Sequence, residues 1–277
     1  MRHFTIEATD GAARAGTLRT KHGDVPTPAF MPVGTKGTVK GVHPEQLREL
    51  GVSMLLGNTY HLHFRPGEDL IAELGGLHAF MGWDGPILTD SGGYQVFSLR
   101  HTIAHVDDDG VTFRSVYDGE LARLTPELAA AVQRKLGSDV AMCLDQVPPI
   151  DVTRPQLEDA VRRTTLWAER QLRQERAPGQ LLFGIAQGHS DEELRRRSID
   201  EIAALGFDGH ALAGLRSAKI APRCWRPPLG QRRSFPPTSR ATSWASATPR
   251  GSSTSSSAGW TCSTASGRPG SAAPARR

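Results

Sequence analysis

The first candidate for chemistry is an acidic residue at the end of a short apolar run. Asp90 comes directly after Pro86-Ile87-Leu88-Thr89 and is followed by Ser91-Gly92-Gly93-Tyr94. Barrel enzymes carry their chemistry at the carboxyl ends of strands, which is where this pattern puts the carboxylate. Two glycines let the backbone approach a flat ligand, and a tyrosine ring can stack on it. The pattern indicates a site for an aromatic base, although Asp90 could equally cap the following helix.

Two more polar residues stand at the ends of apolar runs further along the chain. Asp145 follows the run 140–144, and Gln187 follows the run 181–186. If both runs are parallel strands, their carboxyl ends bring these side chains to the face where Asp90 lies. Asp145 could instead cap a helix, and Gln187 could bridge backbone groups in a loop.

The residues that commonly bind metals do not form a clear site. The three cysteines, Cys143, Cys224 and Cys262, are odd in number and far apart, which fits neither a disulfide framework nor a zinc site. His61, His63 and His101 resemble metal ligands only loosely, and a structural role is commoner for such residues. We therefore expect no metal ion in this chain.

The basic pI of about 9.2 is not a sign of a nucleic-acid partner, because the charge is unevenly distributed. Residues 216–277 hold 11 of the 33 Lys and Arg and none of the 29 Asp and Glu. The first 215 residues keep 22 basic against 29 acidic residues, a formal charge of −7. Apolar runs are short and the amino terminus lacks the apolar core of a signal peptide, so we expect a cytoplasmic protein without membrane spans.

A strand followed by a helix recurs through the first 215 residues. Six apolar runs are candidate strands, at 28–34, 53–58, 86–89, 140–145, 181–187 and 207–214. Three helices end in a Leu-Gly pair that leads straight into the next strand, at Leu50-Gly51, Leu136-Gly137 and Leu205-Gly206. This repeat favours an α/β fold, a (β/α)8 TIM-type barrel rather than a doubly wound sheet. Two barrel strands are missing, so the barrel is predicted to be incomplete.

Two antiparallel elements interrupt this repeat. Residues 111–117 alternate between apolar and polar, Asp118-Gly119 supplies a turn, and residues 120–124 return, which predicts a β-hairpin inserted after the third barrel strand. Thr125-Pro126 then begins a helix. The first dozen or more residues indicate another short antiparallel element, at the floor of the barrel.

The repeat stops after Leu215. Residues 216–277 are rich in Ser, Arg, Pro, Ala and Gly and lack a hydrophobic period, yet they contain Trp225, Trp244 and Trp260. The polar composition is typical of disorder, whereas tryptophan is unusual in a disordered segment. We divide the chain into a partial barrel, residues 1–215, and a disordered tail, residues 216–277.

Five motifs, in this order, resemble the bacterial tRNA-guanine transglycosylases, also called queuine tRNA-ribosyltransferases. They are Thr27–Thr35, Gly57–Leu62, Leu88–Leu99, Phe183–Gly188 and Ala213–Leu215. The resemblance implies exchange of the wobble guanine of tRNAs with a G-U-N anticodon for a 7-deazaguanine precursor of queuosine. It also implies a base flipped out of the anticodon stack, a covalent aspartyl intermediate at C1′ of the ribose, and commonly a homodimer.

The resemblance also implies a role for each candidate residue. Asp90 matches the aspartate that transfers a proton and contacts the base, with Ser91 beside it, and Tyr94 matches the ring that stacks on the base. Asp145 matches the carboxylate that reads the N–H edge of guanine, a task suited to a group with acceptors only. Gln187 and the backbone N–H of Gly214 match the donors to the guanine carbonyl oxygen. His189 departs from the family, which usually has a second glycine there.

The family's second half, with its nucleophilic aspartate and a zinc site of three cysteines and a histidine, does not follow Leu215. Read one base out of frame, Arg216–Lys219 can encode the family's Val-Gly-Glu, and 241–247 its Tyr-Leu-Met-Gly-Val-Gly. Residues 259–265 can likewise encode Val-Asp-Met-Phe-Asp-Cys, whose second aspartate is the nucleophile. We therefore hypothesise a one-base frameshift near Arg216, which leaves a tail without a zinc site and a chain without exchange activity.

Two other functions remain open. A glycoside hydrolase could use Asp90 and Asp145 as an acid and nucleophile pair, although this does not account for the glycines, Tyr94 or Gln187. The chain could also be a noncatalytic subunit that binds a base, tRNA or an active partner.

Overall fold

The computed structural model describes residues 3–11, 13–149 and 151–214, together with the backbone of Ala241–Ser243 and Cys262–Ser263. The chain begins with a three-stranded antiparallel sheet of β1 (Phe4–Asp10), β2 (Ala13–Thr20) and β3 (Gly23–Thr27). This sheet confirms the antiparallel element predicted at the amino terminus. It extends further than predicted, to Thr27.

The first strand–helix repeats follow in the order that the sequence predicts. They are β4 (Ala29–Phe30), β5 (Val33–Gly34), α1 (Pro44–Glu49), β6 (Leu55–Gly57), α2 (Thr59–Phe64), α3 (Glu68–Glu73), α4 (Gly76–Met81), β7 (Ile87–Thr89) and α5 (Gly93–Ser98). α1 begins at a proline in its first turn, and Gly51, just beyond its end, has a φ of 71°. The left-handed glycine after this helix is therefore as predicted.

A second antiparallel sheet is inserted after β7. It consists of β8 (Ile103–Asp107), β9 (Gly110–Arg114) and β10 (Leu121–Leu124), in the order β10-β9-β8. The predicted hairpin is thus confirmed, and β8 adds a strand that the sequence did not indicate. The buried Trp167 joins this sheet to the helical layer, because its indole Nε1 donates to the carbonyl oxygen of Asp108 at 2.9 Å.

The remaining repeats complete the described part of the chain. They are α6 (Pro126–Leu136), β11 (Val140–Met142), α7 (Arg154–Leu172), β12 (Leu181–Ala186), α8 (Glu192–Ala204) and β13 (Gly209–Leu212). Thr125 caps α6 by accepting from the backbone N–H of Leu128. Gly137 and Gly206, with φ of 69° and 80°, end α6 and follow α8 as predicted.

All neighbouring strands of the central sheet run parallel, which confirms the α/β class. The six predicted strand regions lie side by side in chain order, as β5, β6, β7, β11, β12 and β13. Their inward side chains form the largest core cluster, which includes Met31, Leu56, Leu88 and Phe183. This order brings the carboxyl ends of β7, β11, β12 and β13 to one edge of the sheet.

Two short strands fall in the predicted tail, so the expectation of six strands with two missing is not confirmed. β14 (Ala241–Ser243) pairs in parallel with β13, and β15 (Cys262–Ser263) pairs with β14 and β4. The physical reason is that β13 and β4 would otherwise present unpaired N–H and C=O groups, which extended backbone can satisfy whatever its side chains. The rest of the predicted tail lies outside the described residues.

None of the helices in the described part of the chain is long and apolar enough to cross a bilayer.

Candidate active site

Asp90 lies directly after β7 and is held by donors from two neighbouring segments. Its carboxylate accepts hydrogen bonds from Asn58 Nδ2 at 2.5 Å, Thr59 N at 2.9 Å, Gln95 Nε2 at 2.9 Å and Gly92 N at 3.1 Å. Burial raises the pKa of Asp90 above its usual value, although these four donors stabilise the ionised form and oppose the rise. The result is a buried carboxylate with a fixed orientation.

The capping alternative for Asp90 is wrong. The N-cap of α5 is Gly92, which has a φ of 85° and makes no side-chain cap. Ser91 is buried, and its Oγ accepts from the backbone N–H of Gly93 at 3.2 Å. Tyr94 stands in the first turn of α5 with 40% of its surface exposed, at the rim rather than in the interior.

Asp145 and Gln187 meet at the carboxyl ends of β11 and β12. Gln187 Nε2 donates to Asp145 Oδ2 at 2.5 Å, and both residues are buried. Burial raises the pKa of Asp145 to about 7; the hydrogen bond from Gln187 opposes this rise, and the nearby negative charge of Asp90 adds to it. Two buried carboxylates therefore lie near each other, and their negative charges repel.

The helix-cap alternative for Asp145 is also wrong, because α7 has Thr153 as its N-cap. The loop alternative for Gln187 is wrong too, because its side-chain amide donates to a carboxylate and bridges no backbone groups in the described part of the chain. Its backbone N–H donates to Ser198 Oγ at 2.9 Å. Its side-chain Oε1 is buried and has no hydrogen-bond partner in the described part of the chain. A buried amide oxygen without a partner is costly, which marks this amide as a group that a ligand could contact.

At Gly93 and Gly214 the backbone lies so close to Asp145 and Gln187 that a side chain would have little room. A Cβ on Gly93 would lie 2.8 Å from the carbonyl oxygen of Asp145, and one on Gly214 would lie 3.1 Å from Gln187 Oε1. Gly214 also has a φ of 77°, which strains any other residue. The structure thus brings Asp90, Gly93, Asp145, Gln187 and Gly214 together, as the sequence predicts.

His189 stands where the family usually has a glycine, and its φ is 45°. A glycine adopts this conformation without strain, which explains why one is usual there. The ring of His189 bridges two loops, with Nδ1 3.0 Å from the carbonyl oxygen of Gly214 and Nε2 3.0 Å from that of Pro148.

Three residues that support the site were not predicted. Asn58 and Gln95 orient Asp90, and Asn58 follows β6 directly, so its position at a strand end was a usable signal. Arg195 of α8 donates to the carbonyl oxygens of Ala186 at 3.1 Å and Ala213 at 2.8 Å, at the ends of β12 and β13. No sequence pattern distinguishes this arginine from its neighbours in α8.

One group of three possible metal ligands occurs among the described residues, at the opposite end of the sheet. Asp139 Oδ1 lies 2.9 Å from His22 Nδ1, and Asp139 Oδ2 lies 2.9 Å from His78 Nε2. The two imidazole rings are stacked with centroids 3.7 Å apart, so their in-plane nitrogens address two different oxygens instead of converging on one ion. Backbone N–H groups of His22 and Ile87 also donate to this carboxylate. We interpret the cluster as a structural hydrogen-bond network.

His61, His63 and His101 belong to no cluster of possible metal ligands in the described part of the chain. His61 Nδ1 lies 2.8 Å from the Tyr117 hydroxyl, and His63 Nδ1 lies 2.7 Å from Glu68 Oε2. Cys143 is buried, and its Sγ accepts from the backbone N–H of Ile185. The side chains of Cys224 and Cys262 lie outside the described residues, so the expectation of no zinc site stays a prediction.

Comparison with known proteins gives one consistent family. Residues 9–224 match the sequence pattern of the queuine tRNA-ribosyltransferases. The chain is 54% identical over 212 residues to the queuine tRNA-ribosyltransferase of Gloeobacter violaceus, which covers 76% of this chain and 56% of that protein. The corresponding protein of a Thermus thermophilus strain is 52% identical, with 76% and 55% covered, and that of Zymomonas mobilis is 49% identical, with 76% and 56% covered. The chain thus spans about half the length of the curated relatives it matches, and it belongs to the queuine tRNA-ribosyltransferase family.

Proposed function

We propose that the chain forms the base-binding part of a tRNA-guanine transglycosylase and accepts guanine or a 7-deazaguanine. The observation that carries this proposal is the buried Asp145–Gln187 pair beside Asp90. Guanine presents two adjacent donors and one carbonyl acceptor on the same edge. The protein offers a matching partner for each of these groups of guanine. The partners are the carboxylate of Asp145, the amide of Gln187 and the backbone N–H of Gly214.

Base binding would exchange hydrogen bonds within the pair. The donors of guanine would take the place of Gln187 at the carboxylate of Asp145, which favours the ionised acid. The amide of Gln187 would then turn its Nε2 toward the carbonyl oxygen of the base, together with the backbone N–H of Gly214. Gly92 and Gly93 leave room for the plane of the base, and Tyr94 at the rim would stack on it.

Asp90 is suited to moving a proton at the base rather than to attacking the sugar. Four donors fix its carboxylate in the pocket, and burial raises its pKa so that it can accept a proton. A nucleophile must approach C1′ in line with the glycosidic bond, from the side opposite the leaving base. Asp90 and Asp145 both address the base, so neither is free for that approach.

A glycoside hydrolase accounts for fewer of these residues. Such an enzyme would use Asp90 and Asp145 as its acid and nucleophile, which gives no role to the amide of Gln187 bonded to Asp145, or to Gly92, Gly93 and Tyr94. A noncatalytic subunit that binds a base or tRNA remains the second candidate. It requires the same pocket and no nucleophile.

Exchange activity is expected to depend on the reading frame after Arg216. The shifted frame places the family's nucleophilic aspartate across the codons of Ser263 and Thr264, so the chain as written has a different residue there. We propose that residues 1–215 are the family's partial TIM-type barrel and that 216–277 derive from a frameshift. By family, the intact enzyme would act in the cytoplasm as a dimer on tRNA with a G-U-N anticodon.

Labelled guanine separates these possibilities. The chain as written should bind guanine but incorporate none into tRNA, whereas a version with the frame restored at codon 216 and extended to its natural end should incorporate it. Incorporation by the chain as written would refute the loss of activity, and no guanine binding by either version would refute the pocket. DNA sequencing across codon 216 tests the frameshift itself.

A further inference from the structure

A cationic and aromatic patch lies beside the candidate pocket and has no role in base binding. Its centre is Tyr117, in the turn between β9 and β10. Lys36 Nζ lies 5.5 Å from the centroid of the Tyr117 ring, and Arg65 Cζ lies 5.1 Å from it. Two cations are thus held at one ring, and both are exposed.

These cations are not neutralised by the described part of the chain. Among the described residues, neither Lys36 nor Arg65 forms an ion pair with a carboxylate, although most of the arginines of α7 and α8 do. An anion that approaches this ring would be attracted by both cations. The carboxylate nearest in sequence, that of Asp118, accepts a hydrogen bond from the backbone N–H of Glu120 at 3.1 Å.

The Tyr117 ring is held by contacts with Phe64 and His61. Phe64 stacks on it with centroids 5.9 Å apart and an interplanar angle of 22°, and His61 Nδ1 lies 2.8 Å from its hydroxyl. Burial and the positive charge of Lys36 lower the pKa of His61, so this imidazole is neutral near pH 7 and adds no third cation. The patch therefore offers two positive charges beside one flat ring.

The position of the patch relates it to Asp90. The backbone N–H of Thr59, the first residue of α2, donates to Asp90, and Arg65 follows the last residue of the same helix. Six residues of helix advance about 9 Å, so Arg65 lies within reach of a nucleotide whose base is at Asp90. Lys36 follows β5 at the same edge of the sheet.

We propose that Lys36, Arg65 and Tyr117 bind the sugar–phosphate backbone of RNA next to the nucleotide whose base enters the pocket. Positive side chains interleaved with an aromatic ring are the usual means of binding single-stranded nucleic acid. This inference rests on the proposed function, because it takes the flipped base as its reference point. It assigns affinity for RNA to residues that do not touch the base.

The test measures binding of a tRNA anticodon hairpin with G-U-N to the full chain over a range of salt concentrations. Lys36→Gln and Arg65→Gln should each weaken binding several-fold at low salt and lower the slope of log K against log salt by about 0.7, with the double variant losing about twice that. Tyr117→Phe keeps the ring and should keep the slope. Arg48→Gln is the matched control, since Arg48 also lies over a ring, that of Trp83 at 5.3 Å, but beside Asp84 at the other end of β7.

Guanine binding and the titration of His61 complete the test. Both Gln variants should bind free guanine as the unchanged chain does, and hairpin RNA should raise the pKa of His61 in the unchanged chain by bringing a phosphate near. Equal salt slopes for all variants would overturn the inference and leave the base pocket standing. A chain that binds guanine and no RNA would overturn it as well, whereas loss of guanine binding in all proteins would refute the proposed function itself.

Discussion

Replacing Asp145 with Asn tests the electrostatics of the pocket through stability alone. The buried carboxyl has a pKa of about 7 in the fold, against the ordinary 3.8 of an aspartate. The unfolded chain therefore loses this proton first as the pH rises, and ionisation favours unfolding. A pKa difference of one between the folded and unfolded chain corresponds to about 1.4 kcal/mol, so this acid lowers the free energy of unfolding by about 4 kcal/mol above pH 7.

Asparagine has the shape of the neutral acid and does not ionise, so Asp145→Asn removes this penalty. The difference in unfolding free energy between variant and unchanged chain should be nearly constant below about pH 4, grow as the pH rises, and level off near pH 7 at a gain of about 4 kcal/mol. Urea unfolding followed by tryptophan fluorescence at several pH values measures it.

Asp84→Asn is the control with the opposite sign. Asp84 is exposed, and its hydrogen bond with Arg48 lowers its pKa, so its loss should slightly destabilise the fold above the usual pKa of an aspartate. A stability difference for Asp145→Asn that does not change between about pH 4 and about pH 8 would refute the reasoning. It would mean that water reaches the carboxylate and that the site is not a dry pocket.

Three further results are expected. Guanine affinity should rise about tenfold for each increase of one in pH up to pH 7, as Asp145 ionises, and calorimetry of Asp145→Asn should show weak binding without this dependence. Asp139→Ala should cost about 3 kcal/mol or more in urea unfolding, because donors from His22, His78 and Ile87 lose a buried acceptor; a cost under about 1 kcal/mol would contradict the network. Gly93→Ala should cost about 1–3 kcal/mol and weaken guanine binding, since its Cβ would meet backbone at 2.8 Å; unchanged values for both would show that the pocket relaxes.

The sequence predicted the elements whose signals are local. The parallel strands and the helices that end at Gly51, Gly137 and Gly206 could be found because a left-handed glycine after a helix is a backbone requirement of a few residues. The meeting of Asp145 and Gln187 could be found because each ends a strand of a parallel sheet, so that topology alone brings them to one edge.

The parts that were missed depend on distant partners. β8 contains His105 and Asp107 and has little apolar alternation, and it becomes a strand by pairing with β9. β14 and β15 pair because neighbouring strands have backbone N–H and C=O groups available for pairing. No side-chain pattern in 216–277 indicates this pairing. Arg195 supports the site by donating to two carbonyl groups at the ends of different strands, and no residue pattern in α8 indicates these partners.

The network around Asp139 also orders events during synthesis of the chain. The backbone and ring of His22 bind a carboxylate that lies 117 positions further along, and His78 binds the same group from 61 positions away. At 5–20 residues per second, a ribosome needs roughly ten seconds to add those 117 residues. Until then the amino-terminal sheet lacks the carboxylate of Asp139 that His22 binds. Protease cleavage within residues 3–27 of ribosome-bound chains should therefore fall only when the exposed chain extends past Asp139, and equal protection of shorter chains would show that the sheet docks without it.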